Sequence, residues 1–290
     1  MNRFCCCLDA QATIIRRKDD TTFSPSFFDD FLPEHPIDAL RDGDIGSQRD
    51  ILIGYNRDEG SVFMFFANAT KYAALGEDAQ PTTNITLVDV QRFATRFMRS
   101  QNEATTKNLL GTLYADVNET IPDAVFNATR INVGEFFVAC PSMFMAEELS
   151  NNNRSVYFYH FNHRPSNTPW APWVGAAHYE EVQFVFGIPL VKPHEYTREE
   201  VMLSKQMMRS WATFAATGKP DQRPGMKPWP TYHEREPRYV DITAKTSTIK
   251  NGLPQKRCNF WRLVYEVTHS QLERPTPTPA SDGDDDFSDT

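Results

Sequence analysis

The segment TREEVMLSKQMMRSWATFAATGKPD, residues 197–221, narrows the fold most. Leu203, Met207, Trp211 and Phe214 recur at three- or four-residue intervals, which is the spacing of one buried helix face. Thr197 and Glu200 stand at capping-box spacing, Gly218 stops the helix and Pro220 follows it. The aromatic and Met stripe reads as core packing. Upstream, SVYFYHF (Ser155–Phe161) is rich in β-branched and aromatic residues and reads as a strand. DILIGYNRDEG carries an apolar run, Ile51–Ile53, ending in a polar turn, and RYVDIT reads as a last strand. Strands alternating with long helices predict an α/β fold with a mainly parallel sheet flanked by helices.

Three more helices are expected. TLVDVQRFATRFMR aligns Leu87, Val90, Phe93, Ala94 and Phe97 on one face, with Thr86 as cap and Asp89 three residues on. PSMFMAEELS starts just after Cys140, with Pro141 suited to a first turn. CNFWRLVYEV reads as a last helix. The folded body is expected over residues 1–267. Residues 268–290 are Pro-rich and acidic and read as a disordered tail. There are no internal repeats.

The formal net charge is −8, and five acidic residues among the last ten supply most of it. This balance argues against nucleic acid, which needs a basic footprint. No apolar run reaches the roughly 18 residues of a membrane span. Five Asn-x-Ser/Thr sequons, at Asn68, Asn84, Asn118, Asn127 and Asn153, point to glycosylated surface loops and a secreted, extracellular protein. The start, MNRFCCCLDAQATIIRR, makes a poor signal peptide. The expectation is therefore a C-terminal portion whose true start, with its signal peptide, lies upstream. Cys140 and Cys258 suit one long-range disulfide, with buried free thiols as the alternative. Cys5, Cys6 and Cys7 lack the spaced pairs of a zinc site. No metal or cofactor is expected.

In open α/β sheets, functional groups gather beyond the carboxyl ends of strands. Two such places stand out. The turn after ILIGYN holds Asp58 and Glu59, and the loop after SVYFYHF leads to His178 in WVGAAHYEEVQFVFG. A nucleophile–acid–base triad in α/β-hydrolase order would place Glu59 second and His178 third. In acyl transfer the His takes a Ser proton on attack and returns it to the leaving alcohol, and the carboxylate fixes the ring tautomer. On order alone, the solvated turn carboxylate is the preferred reading of Glu59, and a loop or core His that of His178 taken alone.

Several segments together carry a resemblance. ILIGYNRDEGSVFMFF and WVGAAHYEEVQFVFG resemble the acid and base motifs of type-B carboxylesterases, the cholinesterase family. FLPEHPIDALRDGD, WATFAATGKPD with WPTYHEREPRYVDI, and CNFW follow the family's order over about residues 7–267. The resemblance implies the C-terminal portion of an α/β-hydrolase fold, with Glu59 as triad acid and His178 as base. It pairs Cys140 with Cys258 and leaves Cys7 without the upstream partner the family gives it. It also implies an ester substrate, choline esters among the candidates, and homodimerisation through helices near the C-terminus.

The chain departs from the family in two ways. It has no Gly-x-Ser-x-Gly; Ser24, Ser26 and Ser47 lie ahead of Glu59 but outside any glycine-flanked elbow, and the oxyanion-hole glycines are missing. The chain alone is therefore expected to be inactive. Where cholinesterases commonly read Gly-Tyr-Glu after the base, this chain reads Tyr179-Glu180-Glu181; Glu181 keeps the carboxylate position and Glu180 replaces the Tyr. Phe63 matches a substrate-gorge aromatic and Phe66 a rim aromatic, with core packing as the alternative, while Val62 replaces an aromatic. Choline esters and general carboxylic esters both stay open. The other reading is a non-catalytic, neuroligin-type adhesion protein. Retention of Glu59 and His178 favours the enzyme.

Overall fold

A computed structural model describes residues 27–43, 49–97, 103–121, 123–221, 227–253 and 255–270. Cys5, Cys6, Cys7, Ser24, Ser26, Ser47 and residues 271–290 of the expected tail lie outside them. Thr268, His269 and Ser270 were read as the start of that tail but belong to the last helix, which moves the boundary to 270. The chain divides into two units, residues 1–44 with 273–290 and residues 45–272. In the first, α1 (Pro36–Asp42) is capped by His35, whose Nδ1 accepts from the Ile37 amide at 3.2 Å, and it ends at Gly43 in the left-handed conformation.

The second unit runs β1 (Ile51–Asn56), α2 (Glu59–Ala67), α3 (Leu87–Phe97), α4 (Glu103–Leu113), α5 (Ala124–Gly134), α6 (Cys140–Asn151), β2 (Val156–Phe161), α7 (Val182–Val185), α8 (Ile188–Val191), α9 (Arg198–Thr217), β3 (Arg238–Ile242), β4 (Thr248–Asn251) and α10 (Gln255–Ser270). The sheet order is β1-β2-β3-β4. The first three strands are parallel, with Ile53 opposite Phe158 and Tyr159 opposite Val240, and β4 adds an antiparallel edge. Gly54 is required in β1, because a Cβ there would overlap the backbone and ring of Tyr159.

One sheet face, including Tyr157, Phe161, Val240 and Ile242, packs under Leu203 and Met207 of α9, with Trp211 and Phe214 at the margin. That is the expected stripe. The α9 capping box is complete: the Glu200 amide donates to Thr197 Oγ1 at 3.2 Å and the Thr197 amide to Glu200 Oε2 at 2.8 Å. Gly218 follows in the left-handed conformation that ends the helix. Thr86 and Asp89 cap α3 in the same reciprocal way, at 2.9 and 3.3 Å.

Pro141 stands in the first turn of α6, as expected. The helix adjoins what precedes it: α5 passes through a π-helical segment, Glu135–Ala139, into α6 as one continuous rod. Proline has no amide to donate and its ring crowds the carbonyl four residues back, and a widened π turn accommodates both within a helix. The rod packs on α2 where Gly60 meets Gly134. A Cβ at Gly60 would overlap the Arg130 carbonyl oxygen and stand 2.6 Å from the Gly134 nitrogen. The Cys140–Cys258 disulfide ties α6 to α10 across 118 residues. Among the described residues no helix is long and apolar enough to cross a membrane.

Candidate active site

Glu59 is the first residue of α2, immediately beyond the carboxyl end of β1. Its carboxylate is buried and accepts the Asn56 amide on Oε1 at 2.6 Å. Next to it, Asp58 ties the β1 turn to the loop that carries His178. Its Oδ2 accepts from the Ala176 amide at 2.9 Å, and its own amide donates to the Ala176 carbonyl at 3.0 Å. Arg57 and Arg130 each ion-pair with it at 2.6 Å. Gly175 lets the loop pass this close: its φ is 75°, and a side chain there would collide with the Asp58 carboxylate.

These contacts bring together residues 119 positions apart. His178 Nδ1 lies 2.5 Å from Glu59 Oε2. Since an ionised carboxylate only accepts, Nδ1 carries the proton and Nε2 is left as the acceptor. The bond to Glu59 raises the His178 pKa above its ordinary value, with burial opposing and Glu181 adding to the rise. The imidazole is 31% exposed, whereas the Glu59 side chain is 6% exposed; the carboxylate is sealed and the ring is reachable. Asn56 supports both, donating from Nδ2 to the Ala177 carbonyl at 2.6 Å and to Glu181 Oε2 at 2.5 Å. Burial raises the Glu181 pKa, and the Asn56 bond offsets part of that rise. Such a set can hold one imidazole tautomer, take a proton at Nε2 and stabilise the imidazolium that forms.

Phe63 packs against this ring at 5.1 Å and stacks on Phe137 of the π segment at the same distance. Phe66 is exposed and its ring meets Phe65, not His178. Val62 is buried in a small cluster with Ala74, Ala171, Val174 and Ala177. Glu180 is buried and accepts from Thr168 Oγ1 at 2.6 Å and Gln183 Nε2 at 2.7 Å. Asn68, Asn84, Asn118 and Asn153 are exposed outside helices and strands. Asn127 is also exposed but lies within α5, so the loop setting expected for it is corrected; its sequon Thr129 is buried and bonded to Tyr114. Asn56 and Asp58 were not singled out for these roles. Their partners on the His178 loop are 118 to 125 residues away, and the only sequence signal was the place of Asn56 at the end of β1 and of Asp58 in the turn beside Glu59.

The Carboxylesterase family model matches residues 7–261. The chain belongs to the carboxylesterase family. Membership implies an α/β-hydrolase fold, in keeping with a mixed sheet flanked by helices. This carboxylesterase-family chain is similar to acetylcholinesterase-1 of Trittame loki, 30% identical over 259 residues that cover 87% of the chain and 44% of that protein. It is similar to the cholinesterase of Mus musculus, 30% identical over 84% of the chain and 39% of that protein. The acetylcholinesterase of Bungarus fasciatus is 32% identical over 82% and 38%. The chain thus spans less than half the length of these relatives.

Proposed function

We propose that this chain supplies the acid and base of a serine-type carboxylic-ester hydrolase, with Glu59 as acid and His178 as base. The observation that carries the reading is the 2.5 Å Nδ1–Oε2 bond, which leaves Nε2 as the acceptor of a partly exposed ring. In the proposed reaction a Ser hydroxyl placed at Nε2 gives up its proton as its oxygen attacks the ester carbonyl. The imidazolium, stabilised by Glu59, then returns that proton to the leaving alcohol, and water repeats the cycle to free the acid. The 290 residues contain no Gly-x-Ser-x-Gly, so hydroxyl and oxyanion donors come from outside them. The chain by itself is therefore proposed to be inactive.

The relatives' names support a choline ester as one substrate, and Phe63 beside His178 is compatible with it or with other carboxylic esters. Exposed sequons and the Cys140–Cys258 disulfide support an extracellular, glycosylated protein, for which the proposed assembly is a homodimer through the C-terminal helices. The pair Glu59–His178 counts against the adhesion reading, which has no use for a sealed carboxylate under a reachable imidazole.

The test has two arms. The purified chain, titrated with an organophosphate, should take up no stoichiometric label. Mixed with the N-terminal half of a carboxylesterase that carries the Ser elbow, it should hydrolyse a nitrophenyl ester, and His178→Ala should cut that rate by about 10²–10⁴. Stoichiometric labelling of the lone chain, or turnover indifferent to His178, overturns the reading.

A further inference from the structure

The Tyr179 backbone holds a conformation that favours glycine, with φ at 76°. An L-aromatic residue rarely enters that region, because its Cβ crowds the backbone. The usual offset would be burial of the ring, yet Tyr179 is 69% exposed. Its one aromatic contact among the described residues is edge-on with His178, at 5.1 Å and 75°. Phe63 lies 5.1 Å from the same imidazole. Strained, exposed backbone that persists without burial is the kind of outlier that clusters at functional sites, and inference properly runs from outlier to function.

We infer that Tyr179 is a positioning residue: its ring, held by a left-handed backbone, acts with Phe63 to keep the His178 imidazole on Glu59 and to keep water from their bond. The charged groups facing His178 are Glu59 of α2 and Glu181 just before α7. Both favour the imidazolium, but only Glu59 bonds to Nδ1, and that bond lasts only while the ring keeps its orientation. The side chain most exposed at the site is thus the one that restrains the base, and it does so at the expense of local backbone ease. The inference rests on His178 being the base, and its test needs no turnover.

The experiment is NMR on the full chain with labelled histidine, comparing wild type with Tyr179→Phe, Tyr179→Ala and Tyr179→Gly. Wild type should show an elevated His178 midpoint and a low-field Nδ1 proton, which is visible only when the bond is shielded from exchange. Tyr179→Phe keeps the ring and should match wild type. Tyr179→Ala keeps the strained Cβ but loses the ring, so the midpoint should fall toward 6.5 and the low-field proton should vanish. Tyr179→Gly should show the same loss while raising Tm by about 2–4 °C, because the strain is gone. A structural role alone would move Tm without moving the His178 signals.

Alanine and glycine variants that retain both signals overturn the role of Tyr179 and leave the dyad standing. Loss of the signals in Tyr179→Phe also overturns it, since the hydroxyl would then be the working group. An ordinary midpoint with no low-field proton in wild type removes the dyad, and the role of Tyr179 with it.

Discussion

At the scale of single residues, the electrostatics of His178 have a direct consequence for stability. Its folded pKa is raised, chiefly by the Glu59 bond. A group whose folded pKa exceeds its unfolded value adds stability that is full below the unfolded value, here 6.5, and is lost as pH rises through the folded midpoint. Glu59→Gln removes the charge that favours the imidazolium. Urea unfolding of wild type and Glu59→Gln should therefore differ more at pH 6 than above the His178 midpoint, and the His178 midpoint should be lower in the variant. A gap that widens with rising pH would contradict the assignment. The two ends of this pair were legible in the sequence, because triad order and motif context single out Glu59 and His178. Asn56 and Asp58 were not, because a hydrogen bond to a residue about 120 positions away leaves no local trace.

At the scale of elements, the legible parts were those whose ends and faces agree. Helix α9 has a capping box, an apolar stripe and a stop glycine, and α3 has a reciprocal cap. Strand β4 escaped notice because its four residues, TIKN, are mostly exposed and lack the apolar alternation of a half-buried strand. Pro141 was legible as a first-turn residue of α6, but the π segment that joins this helix to α5 was not, because a widened turn has no residue pattern of its own. The rod matters to the site through Gly60 and Gly134, where two backbones touch beside Glu59. Gly60→Ala should force α2 and α5 apart at a cost of about 1–3 kcal/mol, the usual range for overpacking. The displacement begins one residue from Glu59, so the low-field His178 proton should weaken in the same variant. A stable Gly60→Ala protein with that signal unchanged would show that the contact is not what seats the acid.

At the scale of the whole molecule, acid resistance and the long cross-link act on different states. Burial pushes the Glu200 carboxyl up, but bonds from Ser166, Thr197 and His163 overcome this and hold it at about 2. Asp241 is likewise raised by burial and held at about 2 by His160 and Lys250. Both carboxylates have depressed pKa values, so their stabilisation is present above the unfolded values of 4.5 and 3.8 and is lost as pH falls toward about 2. The Cys140–Cys258 bond works mainly on the unfolded chain, where a loop of 118 residues loses conformational freedom. The chain-entropy model gives about 4–5 kcal/mol for a loop of that length. The double variant Cys140→Ser/Cys258→Ser should therefore lose about that much in urea unfolding at neutral pH, with a steeper denaturant dependence because its unfolded state is more expanded. The His178 midpoint should not move, because the dyad is seated by β1, α2 and the Asp58-bonded loop, none of which carries either cysteine. A large loss of stability together with a shifted His178 midpoint would mean instead that the α6–α10 tie also holds Phe137 against Phe63, and through it the base.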